Sequence, residues 1–364
     1  FGQRPFTYTP PTGFNRLNTY NLATPTIPNG AAQFAATTYT GTGSSLTIAN
    51  TVNSVNFQPD FVWVKGRSGA TDHALYDSVR GTTKDLVSNS TAAETTQATG
   101  LTAFGSTGFT VGTLAKMNTN AATYVGWQWK ASGTTVSNTS GSITSTVSAN
   151  PTAGFSIVTY TGNSTANATV GHGLGITPRF FVVKVRSTTG EWLAYHVSTG
   201  KDGFMQLQST AAFSGSANYW GSTGPTSSTI QLNGGGGVNN NGSTYVVYCF
   251  AAIAGYSAFG SYTGNGSTDG PFVYLGFRPR WVMVKRTDAA DNWSIWDSSR
   301  STTNVVNNIL FADSSTAEAT GGSYLDFTSN GFKLRETNTG RNANGGTYIY
   351  AAFAENPFNY SLAR

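Results

Sequence analysis

The chain has 364 residues, 38% of them apolar and only 10% charged; abundant Gly, Thr, Ser and Asn suit short strands joined by many turns and give helices little to work with. The formal net charge of +5 is scattered, with no basic run able to track a phosphate backbone, so nucleic acid is not an expected partner. No apolar run approaches the roughly 20 residues of a membrane helix, nothing resembles a signal peptide, and membrane insertion is not expected.

Taken in chain order, the predicted elements repeat. A Tyr-Thr-Gly anchor occurs at Tyr39-Thr40-Gly41, Tyr160-Thr161-Gly162 and Tyr262-Thr263-Gly264. A strand follows each time, QPDFVWVK, TPRFFVVK and RPRWVMVK, with Pro59, Pro178 or Pro279 before it and Lys65, Lys184 or Lys285 at its end. Proline costs least just ahead of a strand, where its missing N–H has no ladder partner to lose. Eleven residues after each lysine stands an aromatic, Tyr76, Tyr195 or Trp296. A Ser-Thr-Ala segment comes next (Ser90, Ser209, Ser315), and each copy ends on a Thr-Tyr strand that starts at Thr123, Thr244 or Thr347. Fixed order and spacing identify three copies of one unit, at 38–131, 159–252 and 261–354.

The VWVK strand is apolar on both alternating faces, which predicts a central strand covered on both sides. Gly-rich turns at strand-length spacing favour a two-sheet sandwich or jelly roll over a propeller blade. The fold class expected is therefore all-β, with three tandem β-sandwich modules. Residues 132–158 read as a linker or as an extra strand through Ser142 to Val147, and 355–364 as a tail. Gly234 to Gly237 and Gly345-Gly346 read as hairpin tips. The single cysteine, Cys249 in YVVYCFAA, excludes an intrachain disulfide and reads as a small buried hydrophobe.

No stretch carries a catalytic signature, and no cofactor or metal is expected. Asp77 and Asp297 are the best acid candidates, but the aligned residue of the middle copy is His196, and glycoside hydrolysis needs paired carboxylates. The bland reading is that both aspartates accept from turn amides or from Arg80 and Arg300. His73, His172 and His196 show no metal-ligand spacing and read as surface polar residues. Asp288, Asp291 and Asp297, or Asp72 and Asp77, offer oxygen ligands for calcium but lack a recognisable loop pattern.

Among the aromatics, Trp63 and Trp281 lie on strands and are expected in the core. Trp192, Trp220 and Trp293 sit in or beside loops and are the candidate glycan-binding rings. Arg67, Arg186 and Arg286 follow the strand lysines and are candidates for acidic sugars, or else keep a strand edge soluble. Lys65, Lys184 and Lys285 themselves are expected where the strand ends at the surface.

The segment PDFVWVKGRSGATDHALYDSVRG, with its Ser-Thr-Ala-Ala stretch and TYVGWQWKA, resembles a repeat domain of tail-fibre-like virion proteins of tailed phages, especially those of marine bacteria and cyanobacteria. PRWVMVKR, WSIWDSSR and TYIYAAFAE carry the resemblance in the third copy, and the second copy matches more loosely. FGQRPFTYTPPTGF resembles the end of the SPRY-type β-sandwich domains of similar phage proteins, so residues 1–37 read as the end of an upstream domain plus a linker. The resemblance implies a virion or extracellular appendage that recognises a host cell-surface glycan. Its implied partners are further copies of itself, such as a trimer, and other virion proteins. It carries over no catalytic residue. The rival expectations are a purely structural capsid fibre, decoration protein or filament subunit, and a depolymerase with acidic pairs in a groove between chains.

Overall fold

The computed structural model describes residues 11–12, 26–52, 54–215, 219–235 and 237–355. Residues 1–10, with the start of the segment that resembles a SPRY-type domain end, and most of the tail lie outside them. The fold is all-β with several sheets; described helix is limited to short turns such as Ala115–Asn118 and Thr339–Asn342.

Each copy builds the same four-strand order. An opening strand (Phe34–Thr40, Phe155–Thr161, Ser257–Thr263) pairs with the closing strand (Thr123–Trp129, Thr244–Phe250, Thr347–Ala354). The closing strand pairs on its other side with the lysine strand (Phe61–Gly66, Phe180–Val185, Pro279–Arg286), and that with the aspartate-position strand (Ala74–Asp77, Trp192–His196, Ser294–Asp297). All pairings are antiparallel and the register repeats: Lys65 lies opposite Val125, Lys184 opposite Val246 and Lys285 opposite Ile349. The lysine strand is central, as its doubly apolar pattern predicts.

What surrounds this quartet differs between copies. The stretch between the first two copies is no plain linker: Val136–Asn138 and Ser145–Asn150 add two strands to the edge of the second copy's sheet. In the third copy the quartet runs on through Val306–Phe311, Ala319–Thr328 and Gly331–Leu334 to Phe272–Tyr274, giving an eight-stranded sheet nearly closed into a barrel.

The Tyr-Thr-Gly anchor has a physical cause common to all copies. Its tyrosine stacks on the closing-strand tyrosine, Tyr39 on Tyr124 at 5.1 Å, Tyr160 on Tyr245 at 4.9 Å and Tyr262 on Tyr348 at 4.9 Å. Its hydroxyl donates to the backbone of the turn before that strand, at Met117, Val238 and Arg341. The glycine is required by close approach. A Cβ on Gly41, Gly162 or Gly264 would lie 2.2, 2.3 or 2.2 Å from the carbonyl oxygen of Thr119, Asn240 or Ala343.

In the first two copies the two faces of the lysine strand serve two cores, whereas in the third Trp281, Val282, Met283 and Val284 all join one. Val62 and Val64 point into the first copy's own cluster with Ile48 and Phe109, and Phe181 and Val183 into the second copy's with Trp220 and Ile230. Phe61, Trp63, Phe180, Val182 and Trp281 join one cluster shared by all three copies. Its centre is a triangle of equivalent closing-strand rings: Trp129 to Phe250 6.1 Å, Phe250 to Phe353 5.7 Å, and Trp129 to Phe353 5.7 Å. The copies therefore form a closed ring about a pseudo-threefold axis. The start and end of the ring meet, since a Cβ on Gly30 would lie 3.5 Å from the carbonyl oxygens of Ala354 and Glu355.

Gly41→Ala, Gly162→Ala and Gly264→Ala are each expected to cost about 2–3 kcal/mol, because a rigid backbone oxygen must give way. Gly69, with nothing within 4 Å of a built Cβ, is the control, and its alanine variant should fall within about 0.5 kcal/mol of the parent. Urea denaturation measures both; equal effects at Gly41 and Gly69 would refute the close-approach account.

Candidate functional site

The repeated polar residues converge on the seams between copies. Lys65, Lys184 and Lys285 are completely buried, contrary to the surface position expected for them. Each strand end runs into the neighbouring copy, whose Ser-Thr-Ala segment supplies a carbonyl: Lys65 Nζ donates to Ser315 O (3.2 Å), Lys184 Nζ to Thr91 O (2.9 Å) and Lys285 Nζ to Thr210 O (2.7 Å). A second carbonyl comes from the lysine's own copy, Gly66, Gly190 or Asp291. Backbone amides reinforce each seam, Thr71 N to Ser315 O, Gly190 N to Thr91 O and Asp291 N to Thr210 O.

The loop tryptophans are seam and core residues rather than a ligand face. Trp192 Nε1 donates to Val87 O and Trp293 Nε1 to Gln206 O, both at 2.9 Å. Trp220 is internal to the second copy, donating to Gly203 O at 2.8 Å. All eight tryptophans of the chain are buried, including the expected core residues Trp63 and Trp281. A ring closed to solvent cannot stack on a sugar. Arg67 forks onto Glu318 (3.0 and 2.8 Å) and Arg186 onto Glu94 (2.9 and 2.9 Å), each across a seam, whereas Arg286 pairs with Asp288 in its own copy.

Asp77 and Asp297 behave as the bland reading expects and do more. Each accepts two turn amides and the Nε of Arg80 or Arg300, and each also accepts a donor from a neighbouring copy. Tyr248 Oη donates to Asp77 Oδ2 (2.7 Å) and Trp127 Nε1 to Asp297 Oδ2 (2.9 Å). Arg80 and Arg300 then reach Glu94 and Glu318. Burial pushes the Asp297 carboxyl up, but Arg300 and the Trp127 N–H more than offset it, so its pKa is lowered.

The middle copy departs at every member of this network. His196, Thr199 and Phe213 stand where the others have Asp, Arg and Glu, and the facing donor is replaced by Ala351. His196 Nε2 instead meets Tyr350 O at 3.1 Å, and its Nδ1 accepts from Ser198 N. His73 occupies the position of Trp192 and Trp293; its Nδ1 accepts from Trp63 Nε1 (2.7 Å) and its Nε2 donates to Phe311 O (2.8 Å) across the seam. All three histidines are buried, not surface residues. Cys249 is buried too, and burial pushes its thiol up to about 12.

Little here offers conventional site chemistry. Among the described residues no group of three or more His, Cys, Asp or Glu is placed to hold a metal. The calcium candidates are spread over other partners, Asp288 on Arg286, Asp297 on Arg300 and Asp72 on Asn89. A cavity of about 30 Å³ lies on the pseudo-threefold axis, lined by Phe61, Trp129, Phe250, Trp281 and Phe353 among others. Room for one water without polar partners makes it a dry packing void.

The matched family spans the whole ring. A domain of unknown function, DUF7483, matches residues 29–357, taking in all three copies and both joints. The chain belongs to the DUF7483 family. No curated protein matches it.

Among the described residues outside the seams, Phe272 and Tyr274 form an exposed aromatic pair that the sequence pattern alone does not single out. Phe272 and Tyr274 are 46% and 66% exposed on a strand at the outer edge of the third copy's sheet. Comparing copies strand by strand reveals them. Lys333 opposes Phe272 and Gly331 opposes Tyr274; the matching pairs are Thr110 with Thr47 and Gly108 with Ala49 in the first copy, and Gln231 with Thr169 and Thr229 with Gly171 in the second.

Two predictions concern the seams of the DUF7483 domain. Tyr248→Phe removes one donor to buried Asp77 and should cost about 1–3 kcal/mol; Asp77→Ala strands buried Arg80 and should cost about 3–5 kcal/mol. Equal losses in chemical denaturation would contradict the network as drawn.

The second concerns pH. Burial pushes His73 down to about 3, with Lys65 adding to the effect, and His196 down to about 4. Unfolded histidine titrates near about 6.5, so the unfolded chain binds more protons below that value: stability is full above it and lost as pH falls towards 4 and then 3. Burial also pushes each seam lysine down to about 8, against about 10.4 when unfolded, so stability should rise from about pH 8 towards 10. Thermal melts across pH 4–10 test this. His196→Gln should flatten part of the acid limb and Lys184→Met part of the alkaline rise.

Proposed function

We propose that this DUF7483 domain is a structural and adhesive module of a phage virion appendage, without enzymatic activity, that presents a surface for host-surface glycan. The observation that supports this most is the use made of the repeat. Its recurring lysines, tryptophans and acid–arginine networks are spent on the seams, which makes a rigid body and leaves the copy-specific outer faces free for recognition. Each copy is read as a lectin-like β-sandwich, with the seam quartet as one layer. The outer layer consists of Leu46–Ala49, Gly108–Val111 and Leu101–Gly105 in the first copy, Ala168–Gly171 and Thr229–Leu232 in the second, and Phe272–Tyr274, Gly331–Leu334 and Ala319–Thr328 in the third.

The resemblance of PDFVWVKGRSG and its counterparts to tail-fibre repeats supports the virion setting. Self-assembly into a homo-oligomer such as a trimer, and attachment to other virion proteins, would turn one weak glycan contact per chain into avidity. A purely structural role, as capsid fibre, decoration protein or extracellular filament subunit, is the second reading. It is favoured by the same exposed edge, because an unpaired strand can accept a neighbour's.

Binding of the intact assembled protein to cells of its host is the deciding measurement, together with imaging of where on the particle it sits. Saturable binding with the domain at an exposed tip is the outcome expected. No binding, with the outer faces covered by other subunits, would leave the structural reading in its place. Release of sugar from host capsule or lipopolysaccharide would overturn the non-enzymatic assignment.

A further inference from the structure

The outer face of the third copy differs from its two equivalents in a way the fold does not require. Direct cross-strand partners share a face, so Phe272, Tyr274, Lys333, Gly331, Asp326 and Thr328 lie together on the outside of the strands Phe272–Tyr274, Gly331–Leu334 and Ala319–Thr328. The residues between them, Val273, Phe332 and Phe327, are buried beneath. At the positions of Phe272 and Tyr274 the first copy has Thr47 and Ala49 and the second Thr169 and Gly171, so small side chains satisfy the fold there. Rings left 46% and 66% exposed at such sites place an apolar patch on an otherwise polar outer face, the kind of feature that serves interaction.

Both rings lie close to a glycine. A Cβ on Gly331 would come within 3.0 Å of Phe272 Cε2, and one on Gly276 within 3.5 Å of Tyr274 Oη and 3.8 Å of its Cζ. Each ring thus packs against a glycine while staying largely open to solvent, with the two residues about 7 Å apart along the strand. Beside them stand paired charges, Lys333 Nζ with Asp269 Oδ1 at 2.7 Å and Arg335 with Asp326 Oδ2. The pairing leaves the face close to neutral while offering both hydrogen-bond donors and acceptors next to an apolar platform. A pyranose ring has that complement: an apolar C–H face and a rim of hydroxyls that both donate and accept.

We infer that this face is a saccharide-binding platform, with Phe272 and Tyr274 stacking on consecutive residues of a neutral oligosaccharide and Asp269, Lys333, Asp326 and Arg335 meeting its hydroxyls. The inference rests on the adhesive reading above and gives it a location and a ligand class. The charge balance selects against polyanionic chains, and the open edge selects for an extended glycan rather than a small molecule held in a pocket.

The test uses the full chain on an array of neutral oligosaccharides (cello-, malto-, manno- and galacto-hexaose), alongside acidic capsular fragments and host cells. Calorimetry then measures the best binder. The variant Phe272→Thr with Tyr274→Ala takes the first copy's own residues and should fold with only a small fall in melting temperature; Val136→Thr, at another exposed apolar site, is the control. Neutral-glycan binding that weakens at least tenfold in the double variant and not in the control is the expected result. Glycan binding unaffected by the double variant overturns this location and leaves the adhesive reading standing. A preference for the acidic fragments, or host-cell binding with no array signal, overturns the ligand class. Dimerisation in analytical ultracentrifugation that the double variant abolishes, with no glycan bound, reassigns the edge to a second copy of the chain. Failure to bind either array or cells removes the adhesive reading itself.

Discussion

Three aromatic rings meeting on one axis set the terms for everything else in this molecule. Trp129, Phe250 and Phe353 occupy the same place in three copies of a strand, and packing them together forces the copies into a ring. Burying that face of each lysine strand removes a large apolar area from water at about 25 cal/mol per Å². It also commits the polar ends of those strands to the interior. The lysine amines, turn aspartates and arginine forks are the consequence: groups carried under cover by the aromatic core must find partners in the next copy.

How each seam meets that demand shows why the copies have diverged. Two positions carry a complete acid–arginine–glutamate network with an outside donor, Tyr248 or Trp127. The third carries none of its members. Buried charge is tolerable when every partner is present and costly when one is missing, so such a network is kept whole or exchanged whole. His196, Thr199, Phe213 and Ala351 are a neutral solution to the same geometric problem, and the cation of Arg300 resting 5.7 Å from the Trp127 ring belongs to the charged one.

Much of this was legible in the chain. The spacing from Lys65 to Tyr76 and its repeats located the strands, and the doubly apolar VWVK pattern placed that strand at a sheet centre. The i to i+3 relation of Asp77 to Arg80 predicted their pairing. The meaning of the lysine was not legible, because a single sequence shows what a strand contains and not what its end abuts. A charged residue closing an apolar run reads as arrival at water; here it arrives at the carbonyls of another copy. Trp192 and Trp293 misled for the same reason, being loop residues by local pattern and interface residues by closure. The departure at His196 looked like a weakness of the repeat until the loss of a donor at Ala351, 155 positions away in the chain, supplied its cause. Phe272 and Tyr274 stand where the first two copies carry Thr47, Ala49, Thr169 and Gly171, a difference that lies in the least similar segment of the repeat.

The meeting of Gly30 with Ala354 bears on how such a domain transmits its path along the chain. A chain that enters the ring leaves it at nearly the same point, so in any longer chain the ring would add girth and hardly any length. Repeats that read along the sequence like beads on a string are, in space, a single lateral knob. Whatever force pulls on the two ends loads the junction between them directly, and reaches the aromatic core at once through Phe34 and Phe353, which stack 5.3 Å apart on the two terminal strands.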